Sequence, residues 1–407
     1  MATIRSHNIL VSIDIGTTKI STLVAQRLSN DQLEIIGIGK APSQGLRKGI
    51  VVNIGQTVRS IKQAVKEAEI MAGLSIESAV IGISGSHIRS MSSQGIVPIK
   101  KGRVRQSDVA NAIAAARAVP IPEGQQVLHV LPQYFVIDGT EKIADPIGMH
   151  GIRLEVQAHI IMGSITSVQN LVNCCETAGI MVTDVMLEQL ASARAVLSND
   201  ELQLGVAMID IGGGTSDVAI YQHGSIRHTM VLPIAGNHFT NDIAIGLRTP
   251  LEEAEELKQH YGLALAEQCV ENKLIEIQRI QGGQTQKIRQ YDLTRIIEPR
   301  ATELLKIIRD ELVKHNLIDM MTTGVVLTGG GSLLDGIDVV AQKIFGIPAR
   351  IGIPRIMNDI PGSLEHPMYS TGYGLLLQAL KKNNNPIDGP ILKRIVMSMK
   401  SWVSDFF

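Results

Sequence analysis

The stretch Ile209-Asp210-Ile211-Gly212-Gly213-Gly214-Thr215-Ser216-Asp217 decides the fold, because a related stretch lies near the N-terminus. That second stretch reads Ile13-Asp14-Ile15-Gly16-Thr17-Thr18-Lys19. In each, an apolar strand ends on an aspartate, and a tight glycine and threonine turn leads into another strand. Glycine lets the backbone approach a ligand closely, so that successive N–H groups can point at one anion. The pair predicts two facing hairpins that cradle phosphate groups.

The side chains of these hairpins suit a metal-bound polyphosphate. Asp14 and Asp210 end their strands, where they are placed to hold a hydrated Mg²⁺ between the two turns. Lys19 would supply a point charge to the terminal phosphates. Taken singly, a turn of this kind is more often an ordinary structural hairpin, so the prediction depends on the set. The predicted phosphate-binding residues are Gly16, Thr17, Thr18, Lys19, Gly212, Gly213, Gly214 and Thr215.

Two common nucleotide motifs are excluded by the spacing. The sequence contains no Gly-x-x-x-x-Gly-Lys-Ser/Thr loop, and its glycines open hairpins rather than the helix of a dinucleotide fingerprint. A third glycine turn, at residues 328–332, follows another apolar run and could lie alongside the base and ribose of a nucleotide. Glu255 and Lys258 lie three residues apart on one helical face and could clamp the sugar, although an exposed ion pair is the alternative. The candidates in the third turn are Gly329, Gly330, Gly331 and Ser332.

Composition and charge bound the remaining possibilities. A chain of 407 residues is too long for one core, so two or more domains are expected. Its net charge of −1 argues against a nucleic-acid partner and leaves small molecules, proteins and membranes. The three cysteines have no metal-ligand spacing, which favours buried thiols in a reducing compartment. We expect no signal peptide, because Asp14 interrupts the first apolar run. We also expect no spanning helix, because no stretch reaches the roughly 18 to 20 uncharged apolar residues that one requires.

The pattern of apolar residues predicts an α/β fold of two lobes. The first lobe is assigned to residues 8–84 and 164–204, and the second to residues 205–381 with an outer subdomain at about 236–324. Residues 85–163 change character and are predicted to form a small inserted α+β unit. That unit carries a basic loop, whose charged residues are Lys100, Lys101, Arg103 and Arg105.

The C-terminal segment has its own pattern. Residues 382–390 contain three asparagines, two prolines and a glycine, which is typical of a flexible linker. On a helical wheel, the apolar residues of 391–407 other than Met397 fall in one arc of about 160°, with cations on the other side. A helix packed on its own protein is the alternative, but the linker favours one lying on an anionic membrane surface. The predicted membrane contacts are Ile391, Leu392, Ile395, Val396, Met399, Trp402, Val403, Phe406 and Phe407, with Lys393, Arg394 and Lys400 facing the headgroups.

The three glycine turns, in this order, resemble the nucleotide site shared by actin, MreB, heat-shock chaperone ATPases and sugar kinases. Residues 254–258 resemble the helix that contacts adenosine in that superfamily. The chain more closely resembles the FtsA family of bacterial cell-division ATPases, at residues 232–244 and 297–305. The inserted unit is similar to the subdomain that distinguishes this family from actin and MreB. The resemblance runs from about Ile9 to Phe407. It implies a two-lobed actin-like ATPase fold with an inserted subdomain and a C-terminal amphipathic helix, binding ATP and Mg²⁺.

The resemblance also implies partners and a location. Members of the family polymerise, bind the C-terminal peptide of the tubulin-like protein FtsZ and recruit later division proteins at the septal membrane. In the family the peptide binds the outer subdomain of the second lobe. Arg300 and Glu303 match that site by motif, and Arg289 less closely. A surface charge at a helix start is the alternative for Arg300.

Catalysis is a separate question from nucleotide binding. Family relatives that hydrolyse ATP briskly carry an acid or glutamine, in the helix after the last strand of the first domain, to orient water. The nearest candidates are Glu188 and Gln189, and Gln189 is taken as the catalytic candidate, with weak or absent hydrolysis expected. The rival functions are an MreB-like shape-determining filament and a kinase of the same superfamily. The filament type lacks the insert and the tail, and no convincing catalytic base marks a kinase.

Overall fold

The computed structural model describes residues 8–28, 32–270, 273–279, 285–355 and 364–381. Its strands are β1 (Ile9–Ile15), β2 (Lys19–Arg27), β3 (Leu33–Pro42), β4 (Leu46–Arg47), β5 (Ile50–Val51), β6 (Ser78–Ile83), β7 (Arg89–Pro98), β8 (Gln125–Ile137), β9 (Arg153–Ser164), β10 (Met181–Leu187), β11 (Val206–Ile211), β12 (Ser216–Gln222), β13 (Ser225–Leu232), β14 (Leu274–Gln278), β15 (Thr285–Arg289), β16 (Val325–Thr328) and β17 (Ala349–Ile351). Its α-helices are α1 (Ile54–Ala72), α2 (Gln106–Arg117), α3 (Ile165–Thr177), α4 (Glu188–Val196), α5 (Asn199–Leu204), α6 (Gly236–Leu247), α7 (Leu251–Tyr261), α8 (Gln290–Lys314), α9 (Ile337–Phe345) and α10 (Ser370–Lys381).

Two five-stranded sheets repeat one topology. The first has the order β10-β6-β1-β2-β3 and the second the order β13-β12-β11-β16-β17. In each sheet, three strands that are consecutive in the sequence pair antiparallel, namely β1-β2-β3 and β11-β12-β13. Two later strands then add in parallel beside the first of the three, β6 and β10 in one sheet and β16 and β17 in the other. The short repeat of the two hairpin motifs is therefore the visible part of a duplicated lobe. The predicted α/β class is confirmed.

The helix α1 covers the first sheet because its apolar residues recur at helical spacing. Val58, Ile61 and Val65 are buried in this way. The backbone of α1 comes so close to β3 that a Cβ on Gly39 would lie 1.9 Å from the Ala64 carbonyl oxygen. Only glycine allows this approach. The helix ends where the sequence predicts, at Gly73, whose φ of 68° is left-handed.

The lobes are joined by a shared core. One face of the second sheet, including Met208 and Ala219, packs in the same buried cluster as α4. Helix α10, which the sequence analysis assigns to the second lobe, packs in this cluster too, through Leu375 and Leu376. The Ser12 hydroxyl on β1 donates to the Gly372 carbonyl oxygen at 2.8 Å. This helix therefore belongs to the packing of the first lobe.

The insert leaves the first lobe after β6 and returns to it at α3. It consists of a β7-β9-β8 sheet with α2 on one face. It has a core of its own, which includes Val109, Leu154, Val156 and Ile160. The insert also reaches the second lobe, where Gln133 on β8 donates to the Ile226 carbonyl oxygen at 2.8 Å.

The outer part of the second lobe contains α6, α7, the β14–β15 hairpin and α8. The sequence pattern predicts a helix only from residue 296, whereas α8 begins at Gln290. Its early start is supported by Asp292, whose carboxylate accepts the Arg289 N–H at 3.3 Å. Pro299 lies within the helix on its exposed side.

The predicted linker and tail, residues 382–407, lie outside the described residues. Among the helices that the structure describes, none is long and apolar enough to cross a membrane.

Candidate functional site

A cavity of about 930 Å³ lies between the two lobes. All three glycine turns reach it, although they are far apart in the sequence. This cavity is lined by nearly every residue predicted to bind a nucleotide or Mg²⁺. The predicted residues that line it are Asp14, Gly16, Thr17, Thr18, Lys19, Asp210, Gly212, Gly213, Gly214, Thr215, Glu255, Lys258, Gly329, Gly330 and Gly331.

The first two turns have the same backbone geometry. Gly16 N–H donates to the Lys19 carbonyl oxygen at 3.0 Å, and Gly212 N–H donates to the Thr215 carbonyl oxygen at 2.9 Å. The turns also touch across the cleft. A Cβ on Gly213 would lie 2.3 Å from Thr18 Cγ2. No side chain fits at this position while the lobes are closed.

Asp210, the second-to-last residue of β11, lines the cavity. Its carboxylate accepts hydrogen bonds from Ser192 Oγ at 2.6 Å and from Thr371 Oγ1 at 3.2 Å. Both donors lie on helices of the first-lobe core, so Asp210 connects the two lobes. Burial raises the pKa of Asp210 to about 6, against the lowering effect of the Ser192 hydrogen bond.

Asp14 and Lys19 form the corresponding site on the first hairpin. Lys19 Nζ lies 3.7 Å from Asp14 Oδ2, and Ser21 Oγ donates to the same oxygen at 3.4 Å. Burial raises the pKa of Asp14, and Lys19 opposes this rise. Burial also lowers the pKa of Lys19, whose Nζ donates to the Met368 carbonyl oxygen. The lysine is thus held at the cavity wall by both its partners.

Two acidic residues at the cavity lie outside the predicted site, because the sequence does not single out Asp217 and favours Gln189 over Glu188. Asp217 on β12 accepts a hydrogen bond from Ser84 Oγ of the first lobe, and burial raises its pKa to about 7. Glu188, the first residue of α4, also lines the cavity. Burial, followed by the charge of Asp14, raises the pKa of Glu188 well above its usual value. The hairpin register offered a signal for Asp217, because it lies directly opposite Asp210.

Two predicted site residues do not reach the cavity. Gln189 is fully buried, and its side-chain amide has no hydrogen-bond partner among the described residues. Adjacent positions on a helix point about 100° apart, so Glu188 faces the cavity in its place. Ser332 is also buried, and its hydroxyl donates to the Gly329 carbonyl oxygen at 2.8 Å. Ser332 therefore braces the third turn from beneath.

The far end of the cavity is formed by α6 and α7. Lys258 Nζ lies 2.7 Å from Glu255 Oε2, and Thr240 Oγ1 donates to the same carboxylate. Lys258 also bonds the Gly236 carbonyl oxygen, at 3.3 Å. The pair is therefore part of a partly buried network rather than an exposed ion pair. This end is completed by residues that the sequence analysis did not single out, namely Asn237, Phe239, Gln259, His260, Leu333 and Leu334.

The acids do not form a direct metal site. Across residues 8–381, the described parts contain no group of three histidine, cysteine or acidic side chains that could hold a metal ion. The carboxyls of Asp14, Glu188, Asp210 and Asp217 instead lie at separate positions around the cavity wall. Such a set suits a cation that keeps its water shell.

The predicted partner residues all belong to α8 or its cap. The Arg300 guanidinium binds Asp242 on α6 at 2.6 and 3.1 Å, and it also contacts Glu303. Its hydrogen bond to Asp242 raises the pKa of Arg300. Arg289 pairs instead with Asp292 at 3.0 Å and lies about 16 Å along the helix from Arg300. The structure brings Arg300 and Glu303 together and leaves Arg289 apart.

Two protein-family models match the chain. The model described as "Cell division protein FtsA" matches residues 207–374, and that described as "SHS2 domain inserted in FTSA" matches residues 85–162. Solved structures share the fold at low identity. A PilM–PilN type IV pilus biogenesis complex has a TM-score of 0.65 at 18% identity, with 91% of this chain and 98% of that chain covered. MreB5 of Spiroplasma citri bound to ADP has a TM-score of 0.54 at 17% identity, covering 91% and 95%. The MamK double helical filament has a TM-score of 0.51 at 13% identity, covering 91% and 98%.

Curated relatives are similar over nearly their whole length. The cell division protein FtsA of Pseudomonas aeruginosa is 42% identical, with 100% of each chain covered. FtsA of Neisseria meningitidis serogroup B is 41% identical, with 97% of this chain and 98% of the relative covered. With these identities and an actin-like fold that carries the expected insert, the chain belongs to the FtsA family of cell division proteins.

Proposed function

We propose that this chain is an ATP-binding, polymerising adaptor that tethers the FtsZ ring to the inner face of the cytoplasmic membrane and helps recruit later division proteins. The observation that carries the proposal is the interlobe cavity, at which the two phosphate hairpins meet. Family membership supplies the division role.

The ligand proposed for the cavity is ATP. The hairpin turns would offer backbone N–H groups to the phosphates, with Lys19 beside them, and the Glu255–Lys258 pair would hold the sugar. Support comes from the related folds, since one MreB5 structure is described as bound to ADP and another as bound to AMPPNP. A cavity of about 930 Å³ is of the size that cofactor sites have.

Magnesium would neutralise the phosphates and the acids together. Asp14 and Asp210 are the proposed anchors of its water shell, and the buried carboxyl of Asp217 faces the same cavity. Buried carboxylates that lie close together repel one another, so a bound divalent cation stabilises their ionised form.

Hydrolysis is proposed to be slow, with Glu188 rather than Gln189 facing the ligand. Glu188 on α4 lines the cavity, where it could orient a water molecule. Burial, followed by the charge of Asp14, raises the pKa of Glu188, which favours its protonated form, and a protonated carboxyl cannot act as a base. The site thus favours binding over turnover.

The remaining parts of the proposal concern attachment. Arg300 and Glu303, with Asp242 beside them, would receive the FtsZ peptide on the outer subdomain. Residues 391–407 would lie in the membrane interface, which their apolar arc supports. One helix of this kind binds only moderately, so polymerisation would turn it into firm attachment at the septum through avidity.

The decisive experiment is sedimentation with vesicles that contain anionic lipid. The full chain with ATP and Mg²⁺ should co-sediment, and a chain ending at Lys381 should not. A kinase of the same superfamily would stay in the supernatant in both forms. If the shortened chain sediments equally, the adaptor proposal fails even when calorimetry finds ATP binding.

A further inference from the structure

The basic loop of the insert is not used by the proposed nucleotide, FtsZ or membrane sites. In the structure it is bound to a second loop, and together residues 99–105 and 146–153 form what we call the basic tip. Four backbone hydrogen bonds join the two loops. They run from Ile99 N–H to Ile152 at 2.7 Å, Val104 N–H to Met149 at 2.9 Å, Gly148 N–H to Val104 at 2.9 Å and Gly151 N–H to Gly102 at 3.2 Å. The tip is therefore a defined surface rather than two independent loops.

The cations of the basic tip are not neutralised. Lys100, Lys101, Arg103 and Arg105 are all exposed, and none of them forms an ion pair within the described residues. Exposed lysines and arginines without partners produce a local positive potential.

The neighbouring acids are engaged elsewhere. Asp138 accepts the N–H groups of Ile152 at 3.1 Å and Arg153 at 2.8 Å, and Asp145 accepts the Ile147 N–H at 2.9 Å. Glu155 pairs with Arg153. These carboxylates bind the second loop, and none of them pairs with the four cations.

Apolar side chains project beside the cations. Ile152 is 79% exposed, Met149 43% and Ile147 39%. Exposed isoleucine and methionine on hydrogen-bonded loops are costly in water, and grouped apolar residues with charged neighbours are typical of docking surfaces. The tip therefore offers both charge and apolar contact to one partner.

The strand that leads into the tip suggests the partner's conformation. β7 is an outer strand of the β7-β9-β8 sheet, so one of its edges has no strand beside it in the described chain. Such an edge can accept an extended peptide through main-chain hydrogen bonds. Its C-terminal end, Pro98, opens directly into Lys100 and Lys101.

We propose that the basic tip binds an acidic, extended peptide segment of a partner protein, with its acidic residues at the four cations and its apolar residues on Ile152 and Met149. This deepens the proposed recruitment role and rests on it, but it does not depend on nucleotide or FtsZ binding. A convex positive surface also suits anionic lipid, and the test distinguishes the two.

The experiment measures binding of the full chain to a labelled peptide of about twelve alternating glutamate and valine residues by fluorescence anisotropy. Lys100→Glu with Lys101→Glu should weaken binding roughly tenfold or more, and Ile152→Asn should weaken it several-fold. The matched control is Lys62→Glu with Lys66→Glu on α1, which makes the same charge change on the first lobe and should leave the affinity unaltered.

The outcomes are distinct. Equal loss in the control pair would mean that net charge alone drives binding and would overturn the proposal. The proposal would also be overturned if the full chain failed to bind the peptide. A tip variant that kept full peptide affinity but floated less well with vesicles containing phosphatidylglycerol would overturn it too, because the tip would then bind lipid. ATP and FtsZ-peptide affinities measured on the same variants report the proposed function separately, since none of the altered residues lines those sites.

Discussion

At the scale of single residues, the shape of the cavity depends on glycine positions that leave no room for a side chain. Gly213 and Gly214 lie against Thr18 and Thr17, so that the two hairpins meet with only backbone and threonine between them. A ligand held there is contacted from both lobes at once. Contact between the lobes therefore requires glycine at these positions, in addition to the proposed approach of phosphate.

Gly213→Val should abolish detectable ATP binding or weaken it about a hundredfold, because the new side chain would hold the hairpins apart. Calorimetry on protein with an unchanged circular dichroism spectrum would measure this. Gly55→Val is the control, since a Cβ there meets nothing closer than 3.7 Å. Full ATP affinity in the Gly213→Val protein would remove the hairpins from the site.

The buried acids predict a pH effect on stability. The folded-state pKa of Asp217 is raised to about 7 from an ordinary value of 3.8, so the folded protein holds a proton that the unfolded chain releases. The stabilising contribution is complete below about pH 4 and is lost as the pH rises towards 7. Asp217→Asn should therefore be more stable than the parent at pH 8, and its advantage should be much smaller at pH 5. The expected gain in the free energy of unfolding at pH 8 is of the order of a few kcal/mol.

Urea unfolding at the two pH values measures this difference, with Asp319→Asn as the control at an exposed acid outside the cavity. Mg²⁺ with ATP should reduce the advantage of Asp217→Asn by neutralising the carboxylate in the parent protein. A gain that is the same at pH 5 and pH 8 would show that the carboxyl is not buried as described.

The orientation of single side chains could be predicted from the sequence only in part. The turns and Asp14, Lys19 and Asp210 line one cavity, and the sequence could suggest this because an acid at the end of a strand, before a glycine turn, has few alternative conformations. The choice between Glu188 and Gln189 depends on where α4 begins, and one residue of phase turns a side chain by about 100°. No sequence signal fixes that phase, since Leu187 caps the helix without a side-chain hydrogen bond.

At the scale of elements, α8 determines how the proposed peptide site behaves. Arg300 is bound by Asp242 from α6 and by Glu303 from its own helix, so a carboxylate of the proposed peptide would share it with these two side chains. Such a partly buried ion-pair network is sensitive to the loss of its central cation. The motif predicted the arginine and the glutamate, but Asp242 is 58 residues away and could be found only from the fold.

Arg300→Glu should weaken binding of the FtsZ C-terminal peptide at least tenfold, because it removes the arginine proposed to contact the peptide and places three carboxylates together. Fluorescence anisotropy measures the affinity, and ATP binding should be unchanged because the cavity is lined by other residues. Arg309→Glu, on an exposed position of the same helix, is the matched control. Peptide affinity that is equal in both variants would place the site elsewhere.

The C-terminal segment is an element interpreted from its sequence pattern alone. Trp402 lies within the apolar arc, so Trp402→Glu loses a large apolar side chain and adds a charge that must be desolvated. Together these should remove about 3 kcal/mol of membrane affinity, or roughly a hundredfold in partitioning. Ser398→Glu adds the same charge on the polar side and should have only a small, salt-dependent effect. Vesicle flotation compares the two variants, and equal flotation would contradict a membrane-facing Trp402.

At the scale of the whole molecule, duplication explains why so much of the fold could be predicted. Two lobes with the same sheet order bring their first hairpins face to face, so the two hairpin motifs are enough to locate the cleft. Helix α10 could not be assigned in this way. It follows the second lobe in sequence but packs under the first, where Gly374 lies against Ala191 so closely that a Cβ would be 1.9 Å from its carbonyl oxygen.

The closed arrangement of the lobes is held at the cavity by hydroxyl groups of the first-lobe core that donate to acids of the second. Ser84 donates to Asp217, while Ser192 and Thr371 donate to Asp210. A bound nucleotide with its cation would add further contacts between the same surfaces. Nucleotide affinity and closure should therefore be coupled through these hydrogen bonds.

Ser84→Ala tests this coupling, because it removes one donor and leaves the buried Asp217 carboxyl without that partner. A lost hydrogen bond to a buried carboxyl costs about 1–3 kcal/mol, so ATP affinity should fall by roughly fivefold or more while the fold is retained. Amide hydrogen exchange should become faster at the ends of β6 and β12, where the lobes meet, and addition of ATP with Mg²⁺ should restore part of the protection. Ser92→Ala, at an exposed position on β7, is the control and should change neither measurement. If Ser84→Ala loses ATP affinity with no change in exchange at β12, the hydroxyl contacts the ligand directly and does not act through closure of the lobes.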